Sequence, residues 1–215
     1  MRALQLANPR SILCVGAHCD DIEIGCGATV AIWARQFPAS RFVWCVFSGD
    51  PTRVGESRAA AAALVGDQGR IDFVMHQFRE SYFLADWGAI KDAFRSLQDS
   101  VEPDVILTHH EHDRHQDHRL LAELSWNAFR NHLILEYEIP KYDGDLGRPN
   151  VFVPLSHELA VRKVEVLLTH FASQRERRWF TAETFMGLMR LRGVECASPG
   201  GHAEAFFGRK LLLGA

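Results

Sequence analysis

What most constrains the fold of this chain is an alternation: short, nearly unbroken apolar runs recur from the N-terminus onward, each followed by a segment with helical spacing. Runs that are apolar on both faces belong to strands covered on both sides, the condition of a parallel sheet assembled from β-α-β units. Ser11 to Gly16 (SILCVG), Arg41 to Phe47 (RFVWCVF), Ile71 to Met75, Asp104 to Thr108 (DVILT) and Leu133 to Ile139 read as strands. Between them, Gly27 to Gln36, the alanine-rich Glu56 to Leu64, Asp86 to Leu97 and Asp117 to Phe129 read as helices. In the third of these, Trp87, Ile90, Ala93, Phe94 and Leu97 fall at the i, i+3, i+4 spacing of an amphipathic helix. Lys141 to Asn150 turns to Asp, Gly, Arg and Pro and reads as a loop, Leu155 to Phe171 and Thr181 to Leu191 as two late helices, and Phe206 to Leu213 as a terminal strand or tail.

The whole chain, 1–215, is expected to form one domain, since 215 residues with 47% hydrophobic content suffice for one core. A net charge of -3 carries no excess of Lys and Arg of the kind a nucleic-acid or membrane surface requires. The one concentrated basic stretch, Arg175, Arg177 and Arg178, is interrupted by Glu176 and reads as a solvated face. Asn8, Pro9 and Arg10 break the N-terminal apolar run, so a secretory leader is not expected, nor is a membrane-spanning helix. Five cysteines without a C-x-x-C pair argue against a disulfide framework and an all-cysteine zinc site, and cytoplasmic residence is expected.

Parallel sheets place their ligands at the carboxyl ends of strands, and two clusters stand there. Gly16 to Glu23 (GAHCDDIE) follows the first strand and holds one imidazole and three carboxylates; His109 to His118 (HHEHDRHQDH) follows the fourth and holds five of the chain's eleven histidines. Imidazole and carboxylate are the usual donors to a borderline cation such as zinc, and a catalytic site keeps one position open for water. His18 and Asp21, three apart, reach one ion if the chain turns helically there, and His118 supplies a third donor. Such an ion acidifies water and polarises a carbonyl. Asp20 is then placed to act as the base, His115 to protonate a leaving amine or stabilise an oxyanion, and Asp117 to hold an imidazole in its working tautomer. The plainer reading of Asp20, Asp113 and Asp117 is as helix N-caps. A structural zinc remains a further alternative. The metallo-β-lactamase pattern H-x-H-x-D-H is excluded, because Arg114 stands where that pattern needs Asp.

Ala17-His18-Cys19-Asp20-Asp21-Ile22-Glu23 and His115-Gln116-Asp117-His118 resemble the A-H-P-D-D-E and H-x-D-H signatures of the LmbE-like, or PIG-L-like, N-deacetylases. The resemblance implies a Rossmann-like three-layer α/β sandwich with a mostly parallel sheet, and hydrolysis of an N-acetyl or other N-acyl group on an amino-sugar-like substrate. It implies one Zn2+ on His18, Asp21 and His118, with Asp20 as general base and His115, supported by Asp117, assisting the transition state. Arg53-Val54-Gly55-Glu56 is similar to the family's R-x-x-E segment; Arg53 then contacts substrate oxygens, or alternatively pairs with Glu56 at a helix start. Gly201 to Phe206 is similar to the family's A-E-A-F segment; His202 either faces the site from there or is an ordinary loop histidine. Cys19 replaces the family proline and Ile22 is inserted before Glu23, which leaves open whether the thiol binds metal, is oxidised or simply packs.

The expected partner is a small N-acylated amino sugar or conjugate, and Tyr82, Trp87, Tyr142 and Trp179 are aromatic candidates for stacking on it. The 14 Phe and 5 Trp leave room for self-association. Competing activities are a metal-dependent ester or phosphoester hydrolase and a non-catalytic metal- or sugar-binding module; the carboxylate of Asp20 favours an enzyme, and the one-metal pattern favours amide chemistry.

Overall fold

A computed structural model describes residues 3–66 and 69–212. The strands are β1 (Ser11–His18), β2 (Arg41–Ser48), β3 (Arg70–Met75), β4 (Val105–His109), β5 (Leu133–Tyr137), β6 (Val151–Leu155) and β7 (His202–Gly208). The helices are α1 (Asp21–Gln36), α2 (Pro51–Val65), α3 (Trp87–Ser100), α4 (Gln116–Ala128), α5 (His157–His170) and α6 (Ala182–Glu195). One sheet runs in the order β3-β2-β1-β4-β5-β7-β6. β1 to β5 are mutually parallel, while β7 runs antiparallel to both its neighbours.

Two separate cores line the faces of this sheet and give the three-layer sandwich. One packs α1, α2, α5 and α6 through residues such as Ile22, Leu64, Leu167 and Phe185; the other packs α3 and α4 through Ile90, Phe94, Leu121 and Leu124. The alternating residues of β1 divide between them, Ile12 and Cys14 to the first and Leu13 and Val15 to the second, which is why this strand is apolar throughout. Among the described residues, no helix is long and apolar enough to cross a membrane.

Three sequence expectations change. Helix α2 begins at Pro51, five residues before Glu56, and so includes Arg53. The first helix begins at Asp21, six residues before Gly27, and is broken at Cys26 (φ -145°, ψ 15°). The terminal strand is His202–Gly208, earlier than Phe206 to Leu213, whose end lies outside the described residues. β6 was not expected from the sequence because Pro154 interrupts its short apolar run; Pro is accommodated there because β6 is the sheet edge, where one side of the backbone needs no partner.

The order of the strands matters for the site. From β1 the chain moves outward through β2 and β3, then returns to β4 on the other side of β1 and continues to β5. The reversal falls between β1 and β4, and at such a switch point the loops after neighbouring strands part to leave a crevice. Both histidine and carboxylate clusters leave from those two strands.

Candidate metal and catalytic site

The β1–α1 turn is shaped by its own side chains. Asp21 Oδ2 accepts the backbone N–H of His18 at 2.7 Å, folding the turn back on itself. Asp20 takes a positive φ of 157° with ψ -20°, a conformation that side-chain-bearing residues rarely adopt and that marks functional turns. Its side chain makes no N-cap bond, so the capping reading of Asp20 does not hold.

The break at Cys26 leaves backbone groups of α1 without helical partners, and distant residues supply them. Glu204 of β7 accepts the N–H groups of Ala28 (2.9 Å) and Thr29 (2.6 Å). Lys163 of α5 donates to the carbonyl of Ile24 and pairs with Glu204 at 2.6 Å. This buried pair therefore splices the two halves of α1 and fixes the first turn, which carries Asp21.

The second cluster meets the first across the crevice. His118 Nε2 lies 3.2 Å from His18 Nδ1 and 3.5 Å from Asp21 Oδ1, and His18 Nδ1 lies 3.4 Å from Asp21 Oδ2. Each imidazole turns its other nitrogen to a carboxylate: His18 Nε2 to Asp117 Oδ2 at 3.3 Å, and His118 Nδ1 to Asp113 Oδ2 at 2.9 Å. An ionised carboxylate only accepts, so the nitrogens facing Asp117 and Asp113 carry protons; the His118 ring then turns its Nε2 lone pair inward toward Asp21, and His18 Nδ1 would offer the same once a cation displaced its proton. Two overlapping trios also have donor atoms within 4.8 Å of one another: His18, His115 and His118, and Asp21, His109 and His118.

Burial and charge set the protonation of this cluster. His118 is pushed down to about 4, first by burial and then by the neighbouring His109, which keeps it a neutral donor. Burial opposes charge on His18 as well, but Asp21 and Asp117 outweigh it and raise the group to about 10. Burial also pushes Asp20 up to about 7, against the lowering effect of the Arg53 guanidinium. Asp21 is held well below the carboxylate range because the three surrounding imidazoles outweigh its burial.

The remaining predicted residues divide. His115 caps α4, its Nδ1 accepting the Asp117 N–H at 3.3 Å, and its ring meets the rings of His18 and His118 at centroid distances of 4.9 and 4.6 Å. The Asp117 carboxylate supports His18, where the resemblance assigned it to His115, because it is also fixed by the N–H groups of Ser81 (2.6 Å) and Phe83 (3.3 Å). Arg53 does not pair with Glu56, which instead accepts from Ser173. Its guanidinium holds Asp20 Oδ1 (3.1 Å), the Cys19 carbonyl (3.2 Å) and Glu80 (3.2 Å).

His202 is not brought to the cluster. It starts β7 opposite Leu155, donates from Nδ1 to the Gly200 carbonyl (3.0 Å) and faces the ring of His157. The useful member of the A-E-A-F segment is Glu204, through the α1 break. Cys19 points to the Ser48 carbonyl and packs against Gly49 and Val54, with its thiol pushed up to about 12 by burial, so it is an inert packing group. Tyr82, Trp87 and Tyr142 are exposed on loops or helix starts, whereas Trp179 sits among Phe180 and Phe185.

Two site residues escaped sequence reasoning. Asp113, expected only as a capping type, anchors His118 and also accepts the His115 N–H at 2.7 Å. His109 is fully buried, stacks on His118 at 3.9 Å and places Nε2 2.9 Å from the Ala17 N–H and 3.2 Å from Asp21 Oδ2. The signal was there, since both lie in the histidine-rich run, but which imidazole each one touches depends on how the loop folds.

A three-layer α/β domain with imidazole and carboxylate donors gathered at its switch point defines the class. Within it, the chain belongs to the PIG-L (GlcNAc-PI de-N-acetylase) family, whose model matches residues 13–129. It is 34% identical over 176 residues to the uncharacterized deacetylase YaiS of Escherichia coli (strain K12), covering 78% of this chain and 94% of that protein. Among solved structures it is similar to the conserved protein TT1542 from Thermus thermophilus (TM-score 0.75, 20% identity, 95% of this chain and 96% of that one). It is also similar to the N,N'-diacetylchitobiose deacetylase from Pyrococcus horikoshii (TM-score 0.68, 15% identity, 94% of this chain and 84% of that one). At these identities the two structures show the shared fold.

Proposed function

We propose that this protein is a zinc-dependent N-deacetylase that hydrolyses the acetamide of an amino-sugar substrate. One observation carries the reading: His18 and His118, from loops 100 residues apart, each present a nitrogen toward Asp21 while a carboxylate holds the other. That donor set, two imidazoles and one carboxylate, fits a catalytic zinc with a vacant face. Membership in a de-N-acetylase family, likeness to YaiS and the fold shared with a chitobiose deacetylase support the amide and the sugar.

His18, Asp21 and His118 would hold a divalent ion, which when bound would supply Lewis-acid polarisation of the amide carbonyl and acidify a water. The protein's own groups do the rest. Asp20 has one oxygen on Arg53, leaving the other to take the proton of the attacking water. Its carboxyl, raised toward neutrality, then holds that proton for transfer. His115, with Nδ1 committed to the Asp117 N–H, offers Nε2 to the oxyanion or the departing amine. Arg53 acts here by holding Asp20, and Tyr82, Trp87 and Tyr142 are the exposed aromatic candidates for a sugar face, one face of Tyr82 being covered by Arg79.

The test is acetate release from a panel of N-acetylated amino sugars by the zinc-loaded protein and by Asp20→Asn. Loss of a general base lowers the rate by about 100- to 10,000-fold. Equal rates for the two proteins remove the proposed mechanism; hydrolysis confined to esters or phosphoesters removes the proposed bond.

A further inference from the structure

Lys141 lies beyond the family match, in the loop after β5, and neither cluster includes it. Its side chain is nevertheless only 8% exposed, and its ammonium sits 3.0 Å from Asp113 Oδ1. The other oxygen of Asp113 holds His118 Nδ1 at 2.9 Å. Lys141 also pairs with Asp145, whose Oδ2 accepts the Arg114 N–H at 2.7 Å. One ammonium thus ties the 141–145 stretch to residues 113 and 114 of the loop that delivers His118.

From this geometry we infer that Lys141 is a positioning residue for the metal, acting through Asp113 on His118. The inference rests on the metal reading proposed above. A buried carboxylate keeps its charge and orientation only while cations and N–H groups hold it. Asp113 has the His115 N–H, His118 and Lys141, and Lys141 is the one permanently charged group of the three. Without it, Asp113 Oδ1 keeps only the His115 N–H, so the carboxylate loses its charged anchor and can turn away from His118, and the ring is held less firmly with Nε2 toward His18 and Asp21. Arg119 cannot substitute, because it is engaged with the carbonyls of Asp113 and Arg114.

The experiment is zinc affinity, measured by competition with a chromophoric chelator on the full chain. The proteins are the parent, Lys141→Met, Lys141→Arg, Asp113→Asn and the Lys141→Met/Asp113→Asn double variant, with metal-free melting as the folding control. Outer partners of metal ligands typically change affinity by about 10- to 100-fold, so Lys141→Met is expected to bind zinc about tenfold more weakly. Lys141→Arg is expected to restore most of that, and Lys141→Met to add less than about twofold once Asp113→Asn is in place, since the line is already cut. If Lys141→Met does not fold, Lys141→Gln is read with the same expectation. Zinc binding unchanged within about twofold in the lysine variant, or an undiminished further loss when Lys141→Met is added to Asp113→Asn, overturns the inference. A parent protein that binds no zinc overturns the metal reading and this inference together; a parent that binds while Lys141→Met binds equally overturns this inference alone.

Discussion

Replacing Lys163 with Met tests whether the buried pair with Glu204 is what holds α1 together across its break. Lys163 and Glu204 are each 3% exposed, 41 residues apart, and bonded at 2.6 Å. Removing one partner of a buried pair leaves the other charge uncompensated, which costs about 3–5 kcal/mol. The lost bond to the Ile24 carbonyl adds about 1 kcal/mol. Glu204 keeps its two N–H donors on Ala28 and Thr29, which offset part of this, so the net loss is about 4 kcal/mol. For a chain of this length, 1 kcal/mol moves Tm by about 2–4 °C, which makes the expected drop about 8–16 °C. Urea denaturation of parent and variant at equal pH and salt gives the same quantity independently. Lys163→Met combined with Glu204→Gln removes the orphaned charge and is expected to recover about half of the loss. A loss under about 1 kcal/mol for Lys163→Met, or a double variant whose loss equals the sum of the singles, refutes the splice.

Asp117→Ala removes the acceptor of His18 Nε2 and of the Ser81 and Phe83 N–H groups; zinc affinity is expected to fall about 10- to 100-fold and amide exchange at residues 81 and 83 to accelerate. Glu23 is buried beside Ser57, and burial raises its carboxyl from 4.5 to about 8. The folded state therefore holds a proton that the unfolded chain releases above its own pKa, so this stabilisation is full below about pH 4.5 and is lost as pH rises toward 8. Glu23→Gln, which cannot ionise, is expected to gain in metal-free Tm over the parent as pH goes from about 5 to about 8; a difference that stays constant or shrinks contradicts the raised pKa.

Much of the architecture was legible because burial on both faces leaves a plain mark: β1, β2 and β4 are apolar at nearly every position, and α3 shows a clear apolar stripe through Ile90, Phe94 and Leu97. His18, Asp21 and His118 were legible for a related reason, since donors crowded after two strands have few other uses. The start of α1 was not, because the break at Cys26 divides its pattern and the compensating groups come from Lys163 and Glu204, far away in sequence. β6 hid behind Pro154. The partners of Asp117, Asp113 and Arg53 were illegible for one physical reason: a carboxylate or guanidinium has reach in several directions, and only tertiary packing selects the neighbour. His202 shows the converse, where a motif-like position pointed to the site and the antiparallel return of β7 carried its ring to His157 instead.

The most direct measurement is acetate release from an N-acetylated amino sugar by chelator-stripped protein titrated with zinc, alongside His118→Ala. The account predicts no turnover without metal, full recovery at one equivalent of zinc, and no recovery in the variant. Undiminished turnover by the stripped protein, or full recovery in His118→Ala, contradicts it.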